Sequence, residues 1–372
     1  MGLRNALTRL RAQTLLWLQG PSALKNPVVF LALYDADPEG LIEAVMRLYG
    51  SNRDYTSHYV HQLVRHHRAN PLITLYLESE MGGLGRARQF LDALAGSFQR
   101  PNLFRGKRCL DVGANAGQTL LAFCERGARG AVGVEIDQAR YETARMNLGG
   151  VRGEGCQLEV YNNDILNGAF IRTLSTFDVI FCLDVIEHVP DPRLLVHHLS
   201  SLLAKEPEGF IYLKVGNPFC YKNVLAEPHY QIPGLVLLPH ELAKAYYQAS
   251  CPHDGLNYSV QSWHSYLGYE EMFLGEGLHC RPLYDCHIYL KDLDRYLRLV
   301  KPTLATLSAF CESKQIDSGL RQEVEAHVRG YLAELVDVFD RYRATGDPAL
   351  DRQIWLKYFP VDSELIVSRH SG

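Results

Sequence analysis

No stretch of this 372-residue chain approaches the roughly 20 apolar residues that cross a bilayer. The N-terminal run Leu15-Leu16-Trp17-Leu18 is also too short for a signal-peptide core. No charge of one sign prevails: 38 Lys and Arg stand against 42 Asp and Glu, a formal net charge of -4. That balance gives no reason to expect nucleic acid held by bulk electrostatics. No C-x-x-C pair occurs among the nine scattered cysteines. Buried reduced thiols in a cytoplasmic protein are therefore the expectation. Internal repeats and low-complexity segments are lacking too. What remains, 47% hydrophobic and 22% charged, is a globular composition.

Residues 1–100 carry helical spacing near 39–49, 55–68 and 84–98, without strand alternation. Leu3, Leu7, Leu10 and Leu18 share one helical face at the start, as an amphipathic helix packed on its own protein would place them. His58, His61, His66 and His67 crowd together. His58 and His61 lack a third ligand of suitable spacing, so the group reads as a solvated helix face.

From about 105 the rhythm changes. Short apolar strands are expected at 107–112, 131–136, 157–162, 177–184 and 209–215, with helical patterns at 117–126, 137–148, 166–174 and 192–204 between them. Such alternation predicts an α/β fold, a parallel sheet with helices on both faces. A late pair of strands near 278–284 and 286–291 fits a terminal hairpin. Between strand five and that pair, residues 216–275 form an insertion rich in Tyr, His, Pro and Trp. Insertions of this kind build substrate pockets in α/β proteins. The reading is a helical cap over 1–100, a ligand-binding domain over 101–293, and an amphipathic helical extension over 294–372 that suits a lid or a homodimer interface.

In open α/β sheets, ligands bind at the carboxyl ends of the strands. Strand one ends in Asp111-Val-Gly113-Ala-Asn115-Ala-Gly117, a D-x-G-x-x-x-G turn entering a helix. Glycines let backbone approach a ligand, and the first helical amides offer donors. Asp111 adds an acceptor suited to an amine. Strand two ends in Glu135-Ile136, with Glu135 22 positions after Gly113, a separation that suits a ribose diol. Strand three ends in Asp164-Ile165, an acceptor for an exocyclic amine followed by an apolar residue to pack on a base. Strand four ends in Asp184-Val-Ile-Glu187-His188. A nicotinamide site wants G-x-G-x-x-G, which this loop lacks, and leaves Asp111 and Asp164 without a role. Asn217-Pro218 reads as a turn.

Over about 105–290 these residues resemble a class I S-adenosylmethionine-dependent methyltransferase. DVGANAGQ resembles its glycine motif, Glu135 its ribose acid and Asp164 its adenine-binding position. FDVIFCLDVIEHVPDP resembles the branch that includes ubiquinone-pathway O-methyltransferases. The resemblance implies a Rossmann-like seven-stranded sheet whose last strand runs antiparallel. It implies S-adenosylmethionine bound by Asp111, Gly113, Asn115, Gly117, Glu135, Ile136, Asp164, Ile165 and Asp184. The segment EPHYQIPGLVLLPHELAKAYY resembles methyltransferases of bacterial surface-polysaccharide and natural-product gene clusters. It turns the expected acceptor towards a hydroxyl of a small metabolite, sugar or natural product.

For chemistry, His188 is the natural base, since an imidazole titrates near neutrality. Glu187 and His229 complete the expected catalytic group. Asp184, Glu187, His188 and His229 also resemble the metal-binding set of small-RNA 3′-terminal 2′-O-methyltransferases, with Asp184 standing where that family has Glu. That likeness implies Mg²⁺ or Mn²⁺, which lowers a hydroxyl pKa without a base. Phe219, Tyr221, Tyr230, Tyr246, Tyr247, Trp263 and Tyr266 are expected mostly in ordinary packing, with some facing the acceptor. N-methylation of a small molecule, RNA methylation and a non-catalytic cofactor-binding module remain alternatives at this point.

Overall fold

The computed structural model describes residues 24–49, 53–70, 73–149, 155–205, 209–252, 258–284 and 288–370. The expected leucine-faced helix at the N-terminus lies outside these residues. Seven strands form a sheet in the order β3-β2-β1-β4-β5-β7-β6. The chain divides into two units, Met1–Asp164 and Ile165–Gly372.

The first unit begins with five helices: α1 (Pro27–Ala36), α2 (Pro38–Tyr49), α3 (Arg53–His67), α4 (Ile73–Met81) and α5 (Gly83–Ser97). Asn26 caps α1, its side chain accepting from the amides of Val28 and Val29, and Pro27 supplies a preset first turn. Phe30, Leu41, Val45, Val60 and Leu77 bury one apolar cluster that also takes in Ala116 of the glycine loop. The helical cap thus rests on the loop itself. In α3, His61 Nδ1 lies 2.8 Å from the Tyr34 hydroxyl. The side chains of His58, His66 and His67 lie outside the described residues.

Strand β1 (Arg108–Val112), helix α6 (Gln118–Glu125), β2 (Gly130–Glu135), α7 (Gln138–Gly149) and β3 (Gln157–Asn162) follow. β1 pairs in parallel with β2, and β2 with β3. β2 is buried throughout, as a central strand must be, while β3 at the sheet edge is largely exposed. Cys124 and Cys156 are joined in a disulfide, their Cα atoms 5.7 Å apart. This corrects the expectation of thiols throughout; six free cysteines remain among the described residues. The two partners lie 32 residues apart, and only the fold brings them together.

The second unit holds the short α8 (Gly168–Ile171), β4 (Val179–Leu183), a 3₁₀ turn at Ile186–His188, α9 (Pro192–Leu202), β5 (Phe210–Gly216), α10 (Tyr221–Leu225) and α11 (His240–Ser250). It continues with α12 (Tyr266–Gly275), β6 (His279–Pro282), α13 (Leu290–Val300), α14 (Thr303–Ser313), α15 (Ser318–Thr345), α16 (Pro348–Tyr358) and β7 (Asp362–Ser368). β4 and β5 are parallel; β7 runs antiparallel to β5 and to β6.

The antiparallel last strand was expected, but not its place. Only the first of the two late candidates is a strand. Leu290 already opens α13, an amphipathic helix burying Leu293, Tyr296 and Val300. Four helices then intervene before the chain returns as β7. The sequence Leu290-Lys-Asp-Leu-Asp-Arg-Tyr-Leu has helical period, and that period prevails over the strand reading. Asn217 is a structural anchor: its Nδ2 donates to the carbonyls of Lys357 (3.0 Å) and Pro360 (2.9 Å), tying the end of β5 to the approach of β7.

Candidate active site

The glycine loop is shaped by three left-handed residues, Gly113 (φ 73), Asn115 (φ 48) and Gly117 (φ 82). A Cβ at Gly117 would meet Leu148 and Ala144 at ordinary contact distance, 3.4 and 3.5 Å, so it is the positive φ that favours glycine there. The amides of Gly113 and Ala114 both donate to the Val134 carbonyl, at 2.9 and 3.1 Å, folding the loop over the end of β2. Glu135, 4% exposed, completes the hold. Its Oε2 accepts from the Asn115 amide at 2.8 Å and its Oε1 from the Asp137 amide at 2.9 Å. Each carboxylate oxygen keeps further acceptor capacity.

Asp111 is buried behind this loop. Burial pushes its carboxyl up to about 8; the charge of Glu135 adds to the rise, and the Thr119 hydrogen bond opposes it. A cation brought near would favour the ionised form. Ile136 is a large apolar side chain left 68% exposed, and Asp164 is exposed as well. The Asn162 side chain fixes the end of β2 by donating to the carbonyls of Glu135 (2.9 Å) and Ile136 (3.1 Å).

Three supporting residues escaped the sequence reading. A Cβ at Gly133 would sit 2.7 Å from Ala114 Cβ and 2.8 Å from Leu120 Cδ1, so only glycine lets the loop close on β2. Asn147, buried on α7, donates to the Ala116 carbonyl at 2.9 Å. Asn162 is the third. A lone glycine in a strand was a usable signal of close backbone approach; the asparagines carried none.

In the second unit Ile165 is buried, and its carbonyl lies 2.9 Å from His198 Nδ1. Asp184 takes a left-handed backbone (φ 54) at the end of β4. Its carboxylate accepts from Lys214 Nζ at 3.2 Å, and the same ammonium lies 3.1 Å from Asp362. Burial works against the Lys214 charge, but the two carboxylates outweigh it and hold the ammonium above its ordinary range.

Glu187, in the 3₁₀ turn, is 1% exposed. Burial, with the charge of Asp184 added, pushes its carboxyl up to about 7. Its Oε2 is buried without a hydrogen-bond partner. Its carbonyl accepts from the amides of Gln261 (2.7 Å) and Ser262 (3.3 Å), which lays the strap ahead of α12 against the turn. His188 Nδ1 lies 3.2 Å from the Ser259 carbonyl on that strap, and its Nε2 is 3.9 Å from Glu187 Oε1.

His229 comes from the Pro-punctuated loop of the insertion. Its Nδ1 donates to Glu227 Oε1 at 2.6 Å, and the fully buried Glu227 is held in turn by the amides of His229 (2.8 Å) and Tyr230 (2.5 Å). Burial pulls the His229 imidazole down, but the bond to Glu227 and the surrounding carboxylates raise it above its ordinary range. The His188 and His229 rings meet edge to face at 4.9 Å. One ligand atom each of Glu187, His188 and His229 lie within 4.8 Å of one another. Asp184 stands outside that trio, bound to Lys214. Of the aromatic residues singled out above, Tyr246, Tyr247 and Tyr266 are buried, and Tyr221 packs on Tyr296 at 5.4 Å. Trp263 stands 5.8 Å from His229.

A family model described as "Methyltransferase domain" matches residues 83–264. The ubiquinone biosynthesis O-methyltransferase of Neisseria meningitidis serogroup C is 27% identical over 194 residues, covering 48% of this chain and 79% of that one. The enzyme of the same description from Idiomarina loihiensis is 32% identical over 112 residues, 30% of this chain and 43% of that one. A magnesium protoporphyrin IX methyltransferase from Synechocystis, solved with bound SAH, aligns at 16% identity and a TM-score of 0.37, over 55% of this chain and 78% of that chain. The chain is a class I S-adenosylmethionine-dependent methyltransferase. No described helix is long and apolar enough to cross a membrane.

Proposed function

We propose that the enzyme methylates a hydroxyl of a small molecule, with His229 as the base. The observation that carries this reading is the Glu227–His229 pair at 2.6 Å. With Nδ1 donating to a buried carboxylate, the imidazole presents Nε2 as an acceptor, the arrangement a general base requires. S-adenosylmethionine supplies an electrophilic methyl group on a sulfonium when bound. The chain's own work is then threefold. The glycine loop, Asp111 and Glu135 hold the donor, the exposed Ile136 and Asp164 being suited to its base. His229 Nε2 takes the proton of the acceptor hydroxyl as the oxygen–carbon bond forms, and Glu227 stabilises the imidazolium. Glu187 and His188 flank the base and orient the hydroxyl. Replacing His229 by Ala while following transfer of a labelled methyl group to a panel of hydroxylated compounds tests this. Undiminished transfer would refute the role.

A second reading is favoured by one observation, the closeness of Glu187, His188 and His229. One carboxylate and two imidazoles suit a divalent ion such as Mn²⁺ or Mg²⁺, and Glu227 on His229 Nδ1 is the outer-shell partner that a ligating imidazole usually has. The unpartnered Glu187 Oε2 is a further donor atom for such an ion. The ion would occupy His229 Nε2 and lower the hydroxyl pKa, so that the proton would pass to water and not to His229. Activity in chelator, followed by add-back of Mg²⁺ or Mn²⁺, separates the two; full activity in chelator removes the ion.

A further inference from the structure

His188 and His229 are held by different partners, and one residue, Tyr230, serves both. Its main chain works on the His229 side. The Tyr230 amide donates to Glu227 Oε2 at 2.5 Å, on the carboxylate whose other oxygen accepts from His229 Nδ1. Its side chain works on the strap that runs ahead of α12. The Ser259 amide donates to the Tyr230 hydroxyl at 2.8 Å, and that hydroxyl lies 3.0 Å from Ser259 Oγ. A phenolic oxygen can accept one bond while its hydrogen makes another. One hydroxyl thus fixes Ser259 at two points, and the Ser259 carbonyl meets His188 Nδ1 at 3.2 Å.

A carbonyl oxygen accepts and does not donate. Nδ1 of a neutral His188 therefore carries the hydrogen, and Nε2 is left as an acceptor. Glu227 imposes the same form on His229. The two rings meet edge to face at 4.9 Å. The strap residues that follow have other anchors: the Val260 carbonyl lies 2.9 Å from His240 Nδ1, and the Gln261 amide donates to the Glu187 carbonyl at 2.7 Å. The Tyr230 ring itself is seated against Tyr247 at 4.5 Å and Tyr258 at 5.6 Å. Packing thus places the ring, and the hydroxyl can be removed with the ring kept.

We propose that Tyr230 is a positioning residue for methyl transfer: through Ser259, its hydroxyl holds His188 in the Nδ1–H form, with Nε2 turned towards the methyl acceptor beside that of His229. Two acceptor nitrogens draw the hydroxyl hydrogen to one side. An oxygen lone pair is then left to face the donor's methyl group, the alignment an in-line displacement needs. The proton still passes to His229 Nε2 as the oxygen–carbon bond forms. The proposal rests on the O-methylation reading above and adds to it a residue that acts through His188.

The test uses the full chain with ¹⁵N-labelled histidine. In alkaline buffer, where imidazoles are neutral, ring-nitrogen NMR separates the two tautomers, and His188→Gln and His229→Ala identify the two signals. Wild-type His188 is expected in the Nδ1–H form. In Tyr230→Phe it is expected to become a mixture of both forms, while His229 keeps its Nδ1 hydrogen because the Tyr230 amide remains. On the hydroxylated compound that takes up labelled methyl fastest, Tyr230→Phe is expected to lower kcat about tenfold, with affinity for S-adenosylhomocysteine unchanged by calorimetry. In a His188→Gln background the same substitution is expected to cost no more than about twofold. A wild-type His188 in the Nε2–H form, a tautomer that Tyr230→Phe leaves unchanged, or losses that multiply in the double variant overturns the proposal. Undiminished transfer in His229→Ala would instead strike the O-methylation reading, and the ring spectra would still decide whether Tyr230 holds His188.

Discussion

The glycine loop of the first unit and the Glu187 region of the second differ in how their polar groups are satisfied. Around the loop, Glu135 engages two amides and Asn147 and Asn162 hold three carbonyls. Every buried polar side-chain atom without a partner, among the described residues, lies in the second unit. Unmade buried hydrogen bonds cost about 1–3 kcal/mol each. A chain that tolerates several in one place has left room for something that completes them. Under the proposed function, the loop that would hold the donor is organised by its own hydrogen bonds, and the Glu187 region would gain partners from what it binds.

The largest effect that would break this comparison is on turnover. His229→Ala is expected to lower methyl transfer by about 10² or more, with donor affinity unchanged by calorimetry; equal losses in both would merge the two halves into one. Next is the donor side. Glu135→Ala removes the carboxylate that pins Asn115, and donor affinity is expected to fall about tenfold or more in a direct binding titration. Gly133→Val comes third. Its branched side chain would drive Ala114 and Leu120 from β2, and thermal unfolding should register a loss of about 1–3 kcal/mol.

The smallest effect concerns Asp111. Its carboxyl titrates above the unfolded value, so its contribution to stability is fully present below the unfolded pKa and is lost as pH rises towards about 8. Asp111→Asn, unable to ionise, is expected to unfold at higher temperature than the wild type at pH 8, with little difference at pH 4, while binding the cationic donor less tightly. A stability difference that grows on acidification would contradict the burial argument.

Much of this was legible in the chain itself, and unevenly. The loop from Asp111 to Gly117 was readable because strand, turn and helix are contiguous and the turn demands particular residues at fixed spacing. Glu135 followed from its distance along the chain. The second unit was harder. Glu187, His188 and His229 could be named as candidates, but the carboxylate on His229 Nδ1 is Glu227, two residues away in a turn whose geometry no periodicity reveals. Lys214, which takes up Asp184, sits within an apolar strand, where nothing local points to its partner. The seventh strand lies behind four helices, and the pairing of Asp362 with Gly216 spans a separation that local pattern cannot bridge. The disulfide is of the same kind, joining a helix end to the entry of β3. Apart from Gly133, which carried a local signal, the roles that stayed hidden depend on contacts the local pattern does not show.

The central claim is that a carboxylate-supported imidazole in the second unit handles the acceptor's proton. The pH–rate profile of the wild type beside Glu227→Gln tests it most directly. Glu227 raises the His229 pKa, so a base at that position becomes available only as pH climbs past the raised value. Without the carboxylate the rising limb is expected to move to lower pH, with a reduced plateau and unchanged donor affinity. A limb that stays in place in Glu227→Gln would contradict the account.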